Sequence, residues 1–241
     1  MIHASNMVDR RPFLDTLSPG ARTALTQLGS RHRFTRDDVL ISEGDHEQDL
    51  VLLHQGLVKV TVQLGRDRPQ LVDIKIAGDV VGELAALDRR PRSATVTACG
   101  EVVATVIPSH ELQTFLLANS EVLLALTRVL SGGLRRSDRW RLEFGCYPVL
   151  VRLARVLVEL AASYGRQERN AVRIDVNLSQ PEFAALIGCR AGTAHNALIQ
   201  LGRQNLITTG LKQTYVRDIA RLRKVAKLGM PVTQRHDHNS H

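Results

Sequence analysis

The fold of the C-terminal third of the chain is determined by residues 178–207, which read LSQPEFAALIGCRAGTAHNALIQLGRQNLI. Ser179 and Glu182 have capping-box spacing, in which a serine and a later glutamate cap the start of a helix reciprocally. The short apolar run that follows ends at Gly188, a residue that tolerates the positive φ of a tight turn. A second amphipathic segment begins two residues later. This spacing predicts a helix-turn-helix, in which Phe183, Ile187, Ala194 and Ala197 face inward.

Residues 208–216 follow as a predicted hairpin, which makes the unit a winged variant. In such units the second helix enters the major groove of DNA, and its exposed N-terminal residues contact base edges. Asn196 and Gln200 can pair bidentately with adenine, and Arg190 can bind guanine or phosphate. Ala191 and Gly192 offer no side-chain hydrogen bond, so DNA shape is expected to contribute. The predicted DNA contacts are Arg190, Thr193, His195, Asn196, Gln200, Arg203 and Lys212.

The distribution of charge supports this interpretation. Residues 1–134 carry 14 Lys and Arg against 16 Asp and Glu, whereas residues 135–241 carry 18 against 8. The second part is therefore strongly basic, as expected of a domain that binds a polyanion. The alternatives are a solvated basic surface and a helical hairpin with no role in DNA binding.

Two helices are predicted before the helix-turn-helix. Residues 149–164 form an amphipathic pattern, preceded by a hinge at Cys146-Tyr147-Pro148. Residues 120–144 carry a heptad stripe typical of a helix that pairs with its own copy, although a helix packed on its own domain is the alternative. The stripe contains Leu123, Leu126, Leu130, Leu134, Trp140 and Phe144. A polar pair, Ser137-Asp138, interrupts it.

The N-terminal part is predicted to be an antiparallel β-sandwich or jelly roll. Short apolar runs alternate there with glycine-containing turns. The runs lie at 39–41, 50–53, 57–60, 71–74, 95–96 and 102–103. Ahead of them, Ser18 and Pro19 predict the capped start of a short helix.

Several protein classes are excluded by what the chain lacks. No apolar run is long enough to cross a membrane, and the N-terminus has no signal-peptide core, so a cytoplasmic protein is expected. Three separated cysteines offer neither a disulfide framework nor a thiolate cluster. No hydrolase, metalloprotease or Walker motif occurs, so we expect no enzyme. The histidines of the C-terminal tail are interpreted as polar tail residues rather than metal ligands, and no metal is expected.

A second motif lies at residues 82–96, GELAALDRRPRSATV. The amides of a Gly-Glu-Leu turn can cradle a phosphate, and an Arg-Ser pair adds a guanidinium fork and a hydroxyl. Taken alone, this motif is weak evidence, and an ordinary loop that contains a Glu83–Arg92 salt bridge is the favoured interpretation.

Taken together and in this order, the motifs resemble the Crp/Fnr family of bacterial transcription regulators over residues 13–225. The resemblance implies that Glu83 binds the ribose 2′-hydroxyl of a cyclic nucleotide. It implies that Arg92 and Ser93, with the amides of Gly82 and Leu84, bind the cyclic phosphate. Ser137 and Asp138 would contact the purine from both subunits. The alternative is that Asp138 pairs with Arg135, Arg141 or an arginine of the second copy and leaves the purine to Ser137.

The chain also departs from the family pattern. Asp138 replaces an uncharged residue of the cAMP-responsive members, and Gly133 stands where an arginine is frequent. Ala191, Gly192 and Asn196 replace a usual Arg-Glu…Arg set in the recognition helix. The absence of an N-terminal cysteine cluster excludes the oxygen-sensing branch.

The sequence therefore predicts an α+β protein with four parts: a cyclic-nucleotide-binding-like β-roll (13–118), a dimerisation helix and hinge (119–146), a winged helix-turn-helix (147–225) and a flexible tail (226–241). The expected function is transcription regulation by a homodimer, paired through residues 120–144, on a twofold-related site in double-stranded DNA. The expected effector is cAMP ahead of cGMP, and RNA polymerase is a candidate partner. The alternative is an effector-independent regulator whose β-roll is a scaffold or a polymerase contact.

Overall fold

A computed structural model describes residues 11–65, 69–210 and 213–228. It begins with a single 3₁₀ turn, Phe13–Thr16, and helix α1, Pro19–Thr26. The Ser18 hydroxyl accepts a hydrogen bond from the amide of Ala21, and Pro19 opens the helix. The predicted cap is confirmed.

The N-terminal domain is an antiparallel β-roll. Its strands are β1 (Ser30–Phe34), β2 (Val39–Ile41), β3 (Leu50–Gln55), β4 (Leu57–Val62), β5 (Gln70–Ile76), β6 (Val80–Val81), β7 (Thr95–Ala98) and β8 (Val102–Ile107). They form two sheets, in the orders β1-β8-β3-β6 and β2-β7-β4-β5. The predicted fold class is confirmed. Strand β1 was not predicted, because its sequence SRHRF is polar and mostly exposed at a sheet edge.

Helices α2 (Glu83–Asp88) and α3 (Ser109–Ala118) lead into α4, which runs unbroken from Ser120 to Cys146. The predicted stripe on α4 is wrong in part. Leu126 is fully buried in the core of the β-roll, and Trp140 packs on the C-terminal core. Leu123 and Leu134 remain exposed. Helix α4 therefore packs on its own chain along one face and presents leucines to solvent along another.

The C-terminal domain contains α5 (Val149–Tyr164), β9 (Gly165–Glu168), β10 (Ala171–Ile174), α6 (Gln180–Ile187), α7 (Ala191–Arg203), β11 (Ile207–Gly210), β12 (Gln213–Val216) and α8 (Ile219–Val225). Its strands form one sheet in the order β11-β12-β10-β9, so the predicted wing is present. No strand was predicted over the β9–β10 hairpin. Every residue of β9 is exposed, so no apolar alternation marks it.

The tail predicted at 226–241 begins later than expected, since Ala226 and Leu228 are buried in the C-terminal core. The rest of that segment, with its histidines, lies outside the described residues, and its flexibility stays a prediction.

The two domains touch through strands β4 and β5. Leu71 and Ile74 of β5 are part of the C-terminal core. The Tyr164 hydroxyl donates a hydrogen bond of 2.9 Å to the carbonyl of Ile74. Lys59 Nζ lies 2.5 Å from Glu182 Oε1 and 2.8 Å from the Asn177 carbonyl. The helix-turn-helix is thus docked against the wall of the β-roll.

In the part of the chain that the structure describes, no single helix is long and apolar enough to span a membrane. The sharply bent pair α3 and α4 meets the length and composition criteria only when taken together.

Candidate functional site

A cavity of about 600 Å³ lies between the β-roll and helix α4. Such a volume is within the usual range for small-molecule sites. One end is lined by the residues of the 82–96 motif, and the other by α4. The predicted site residues that line it are Gly82, Glu83, Leu84, Arg92, Ser93 and Ser137. Folding therefore brings together residues more than forty positions apart in the sequence.

Both the backbone conformation at position 82 and the side chain packed against it require a glycine. Its φ is 80°, in the left-handed region, where it caps the start of α2. A Cβ at this position would collide with a guanidinium nitrogen of Arg92. The glycine thus allows the arginine side chain to pass directly over the turn.

Arg92 is held by backbone carbonyls rather than by a carboxylate. Its guanidinium donates to the carbonyl of Gly82 at 3.1 Å and to that of Asp49 at 2.7 Å. The residue is only 5% exposed. Burial lowers the pKa of Arg92, and nearby carboxylates, Asp49 foremost, oppose this shift. The result is a fixed cation at one end of the cavity.

Glu83 lies beside this cation without pairing with it. Among the described residues no Glu83–Arg92 ion pair occurs, so the alternative of an ordinary loop salt bridge is not observed. Burial raises the pKa of the Glu83 carboxyl, whereas the positive charge of Lys75 opposes the rise. A partly buried carboxylate that lines a cavity is suited to accept hydrogen bonds from a ligand hydroxyl.

The polar pair on α4 is divided between two environments. Ser137 lines the cavity, but Asp138 does not. The Asp138 carboxylate is exposed and pairs with Arg141 at 3.0 Å, one turn further along α4. Of the polar pair, therefore, only Ser137 reaches the cavity of its own chain.

Three charged residues of the cavity were missed by the sequence analysis: Asp73, Lys75 and Arg136. Lys75 is 8% exposed, and its Nζ lies 3.0 Å from Asp73 Oδ2. Arg136 approaches the same oxygen at 3.8 Å. An irregularity in the pairing of β4 and β5 between Leu71 and Asp73 breaks the alternation of β5, so no simple period-two pattern marked these residues.

The helix-turn-helix has the predicted local structure. Ser179 and Glu182 make both hydrogen bonds of the capping box, and Gly188 has a φ of 59°. A Cβ on Gly188 would collide with the ring of Phe144 on α4. The turn between the two helices is therefore packed directly against the end of the long helix.

Helix α7 presents the predicted face to solvent. Phe183, Ile187, Ala194 and Ala197 are buried, as predicted. The exposed residues are Arg190, Thr193, His195, Asn196, Gln200 and Arg203. His195 is partly engaged, since its Nδ1 lies 2.8 Å from Gln180 Nε2. Lys212 lies outside the described residues.

No group of three or more histidine, cysteine or acidic side chains that could hold a metal ion occurs within 11–65, 69–210 and 213–228.

Two family models match the chain. Residues 31–119 match the cyclic nucleotide-binding domain, and residues 151–225 match the Crp-like helix-turn-helix domain. The fold and the site thus define a two-domain regulator in which a cyclic-nucleotide-binding β-roll is joined by a long helix to a winged helix-turn-helix. The chain belongs to the Crp/Fnr family of DNA-binding transcription regulators.

Individual relatives agree over most of the chain. The CRP-like cAMP-activated global transcriptional regulator of Mycobacterium tuberculosis is 29% identical over 90% of this chain and 97% of its own. Among solved structures, a CRP-family transcriptional regulator from Thermus thermophilus is 24% identical, with a TM-score of 0.69 over 83% of this chain and 100% of that one. The c-di-GMP responsive global regulator CLP of Xanthomonas campestris is 20% identical, with a TM-score of 0.72 over the same shares.

Proposed function

We propose that this protein is a cytoplasmic, homodimeric regulator whose binding to a twofold-related DNA operator is controlled by a cyclic nucleotide, cAMP ahead of cGMP. The observation that carries the proposal is the cavity, in which Arg92 and Glu83 face Ser137 on the long helix. A ligand held there contacts both the β-roll and α4. The M. tuberculosis relative is described as cAMP-activated, which supports the choice of nucleotide.

The proposed ligand contacts follow from the chemistry of the lining. Arg92 and Ser93, with the amides of Gly82 and Leu84, bind the cyclic phosphate, because a buried guanidinium and nearby N–H groups suit an anion. Glu83 accepts the hydrogen bond of the ribose 2′-hydroxyl. Ser137 contacts the purine within the same protomer.

We assign dimerisation to α4. Leu123 and Leu134 are exposed on it, although leucine on a long helix is normally buried. Pairing with a second copy removes these side chains from water. It also places Asp138, which is directed away from its own cavity, beside the second protomer, from which it contacts the purine.

DNA binding is assigned to α7 in the major groove. Asn196 and Gln200 contact bases, Arg190 contacts guanine or phosphate, and Arg203 contacts phosphate. Thr193 and His195 complete this face, and Lys212 is expected to contact the backbone from the wing. A twofold dimer presents two such helices, so the operator has two related half-sites. RNA polymerase is a further candidate partner through the β-roll.

Selection of bound duplexes from a random DNA pool, in parallel with cAMP, with cGMP and without nucleotide, tests this function. We expect an inverted-repeat sequence whose enrichment depends on a nucleotide. Equal enrichment of the same sequence in all three pools would instead favour an effector-independent regulator with the β-roll as scaffold. Enrichment of no sequence under any condition would contradict the proposal.

A further inference from the structure

Arg136 on α4 folds back over two glycines. Its guanidinium nitrogens lie 3.6 and 3.9 Å from the positions that Cβ atoms on Gly132 and Gly133 would occupy. A Cβ at either position would be in ordinary van der Waals contact with the guanidinium. The Arg136 side chain therefore lies along the Gly-Gly segment of α4, beside the cavity.

The surroundings of Arg136 orient it without fully engaging it. Its Nη2 is 3.8 Å from Asp73 Oδ2, which is beyond hydrogen-bond length. The same oxygen is bound more closely by Lys75, at 3.0 Å. Arg136 therefore lies at the cavity wall, and Lys75 is the closer of the two cations to Asp73.

The position of Arg136 along the cavity matters for the ligand. Arg92 and Ser93 line one end, whereas Arg136 and Ser137 line the end formed by α4. If the phosphate lies at Arg92, as proposed above, the base of the nucleotide lies at the α4 end. Arg136 is then a cation of α4 at the same end of the cavity as the base.

A guanidinium distinguishes the two purines by their hydrogen-bonding edges. Guanine presents two neighbouring acceptors, O6 and N7, to which an arginine donates bidentately. Adenine presents N7 as an acceptor beside the N6 amino group, which is itself a donor. With adenine, one arginine N–H can donate to N7, but the other faces the N–H of the N6 amino group and makes no hydrogen bond. A base-contacting arginine therefore favours guanine relative to adenine.

We propose that Arg136 is a base-selectivity residue of the cavity, which donates to the O6 and N7 edge of guanine and so raises the affinity for cGMP relative to cAMP. This inference rests on the proposed function. It concerns the ratio of the two affinities and is compatible with either nucleotide as the stronger ligand.

The experiment is calorimetric titration of the full-length protein with cGMP and with cAMP. The variants are Arg136→Gln and Arg136→Lys, with Arg135→Gln as the matched control. Arg135 is exposed, donates to Ser131 Oγ at 3.2 Å and does not line the cavity. Glutamine suits adenine rather than guanine, and lysine keeps the charge without the planar fork.

We expect Arg136→Gln to lower the ratio of cGMP to cAMP affinity by about tenfold or more, the discrimination typical of one bidentate contact. Arg136→Lys should lower it in the same direction, and Arg135→Gln should leave it unchanged. A ratio that Arg136→Gln does not move, or that Arg135→Gln moves equally, would overturn the inference and leave the proposed function intact. Binding of neither nucleotide to the unaltered protein would overturn the proposed function itself.

Discussion

Arg92 shows how a single residue is prepared for an anionic ligand. Backbone carbonyls of Gly82 and Asp49 hold its guanidinium in place, and no carboxylate within the described residues forms a salt bridge with it. Carbonyl oxygens orient the group without cancelling its charge. The side chain therefore remains attractive to a phosphate while its geometry is fixed.

Replacement of this cation tests the phosphate site. We expect Arg92→Ala to weaken cyclic-nucleotide binding at least about tenfold, or about 1.4 kcal/mol, because the amides of the turn are left without a fixed charge. Calorimetry measures the affinity, and thermal unfolding verifies that the variant is folded. Arg90→Ala, at an exposed neighbouring position, is the matched control. Unchanged affinity in Arg92→Ala would place the ligand elsewhere.

Two residues of the DNA-binding domain differ in their expected roles. Asn196→Ala should relax sequence preference at one symmetric pair of operator positions, at a cost of about 1–3 kcal/mol per half-site. Arg203→Ala should weaken binding to all sequences and reduce its salt dependence, because a phosphate contact releases counterions. Anisotropy titrations on the selected operator and on point-substituted operators measure both. A uniform loss in Asn196→Ala would reassign that residue to the phosphate backbone.

At the scale of elements, helix α4 connects every functional part. Its first turns are buried in the β-roll core through Val122 and Leu126. Its middle carries Ser137 at the cavity, and its end places Phe144 against the turn at Gly188. Helix α4 is therefore in direct contact with the β-roll, the cavity and the helix-turn-helix.

The turn at Gly188 packs closely against the Phe144 ring of α4. Gly188→Ala places a Cβ at positive φ and against the Phe144 ring, and we expect it to destabilise the protein by about 1–3 kcal/mol. Gly192→Ala is the control, because a Cβ there meets nothing within 4 Å. Urea unfolding measures both variants. A Gly188→Ala protein as stable as the control would show that the turn adjusts without strain.

The elements that the sequence predicts well are those with a strong local pattern. The capping box at Ser179, the turn at Gly188 and the helix start at Pro19 are encoded within a few residues. Strands β1 and β9 were missed because they lie at sheet edges and carry exposed polar residues.

The residues of the candidate site also differ in how well the sequence predicts them. The 82–96 motif is contiguous in the sequence and could be recognised there. Lys75 and Arg136 come together only through tertiary packing, and the burial of Leu126 against its own domain depends on which face of α4 meets the β-roll.

At the scale of the whole molecule, Lys59 and Glu182 join the two domains. Glu182 uses one carboxylate oxygen for the cap of α6 and the other for Lys59. Strand β4, which carries Lys59, also carries Val60 at the cavity wall. The cavity and the helix-turn-helix therefore share one strand.

This ion pair predicts a pH dependence. Burial alone would raise the pKa of Glu182, but hydrogen bonds from Lys59 and Ser179 outweigh it and the net pKa is lowered. A lowered pKa in the folded state contributes stability that is present above the ordinary glutamate value, about 4.3, and is lost as the pH falls through the folded-state value.

Lys59→Gln removes one partner of this pair. We expect the variant to be less stable than the unaltered protein at neutral pH, and the difference to shrink as the solution is acidified below about pH 4.3. Urea unfolding across this range measures it, with Lys224→Gln on the exposed side of α8 as the control. A stability difference that is independent of pH would show that Lys59 acts through packing rather than through Glu182.

The central claim is that the cavity controls DNA binding, and fluorescence anisotropy on the selected operator tests it most directly. The affinity of the unaltered protein for labelled operator is measured without nucleotide and with saturating cAMP or cGMP, and again in Arg92→Ala. We predict that a nucleotide changes the affinity of the unaltered protein by about tenfold or more and that this response is lost in Arg92→Ala. Operator affinity that is the same with and without either nucleotide would contradict the account.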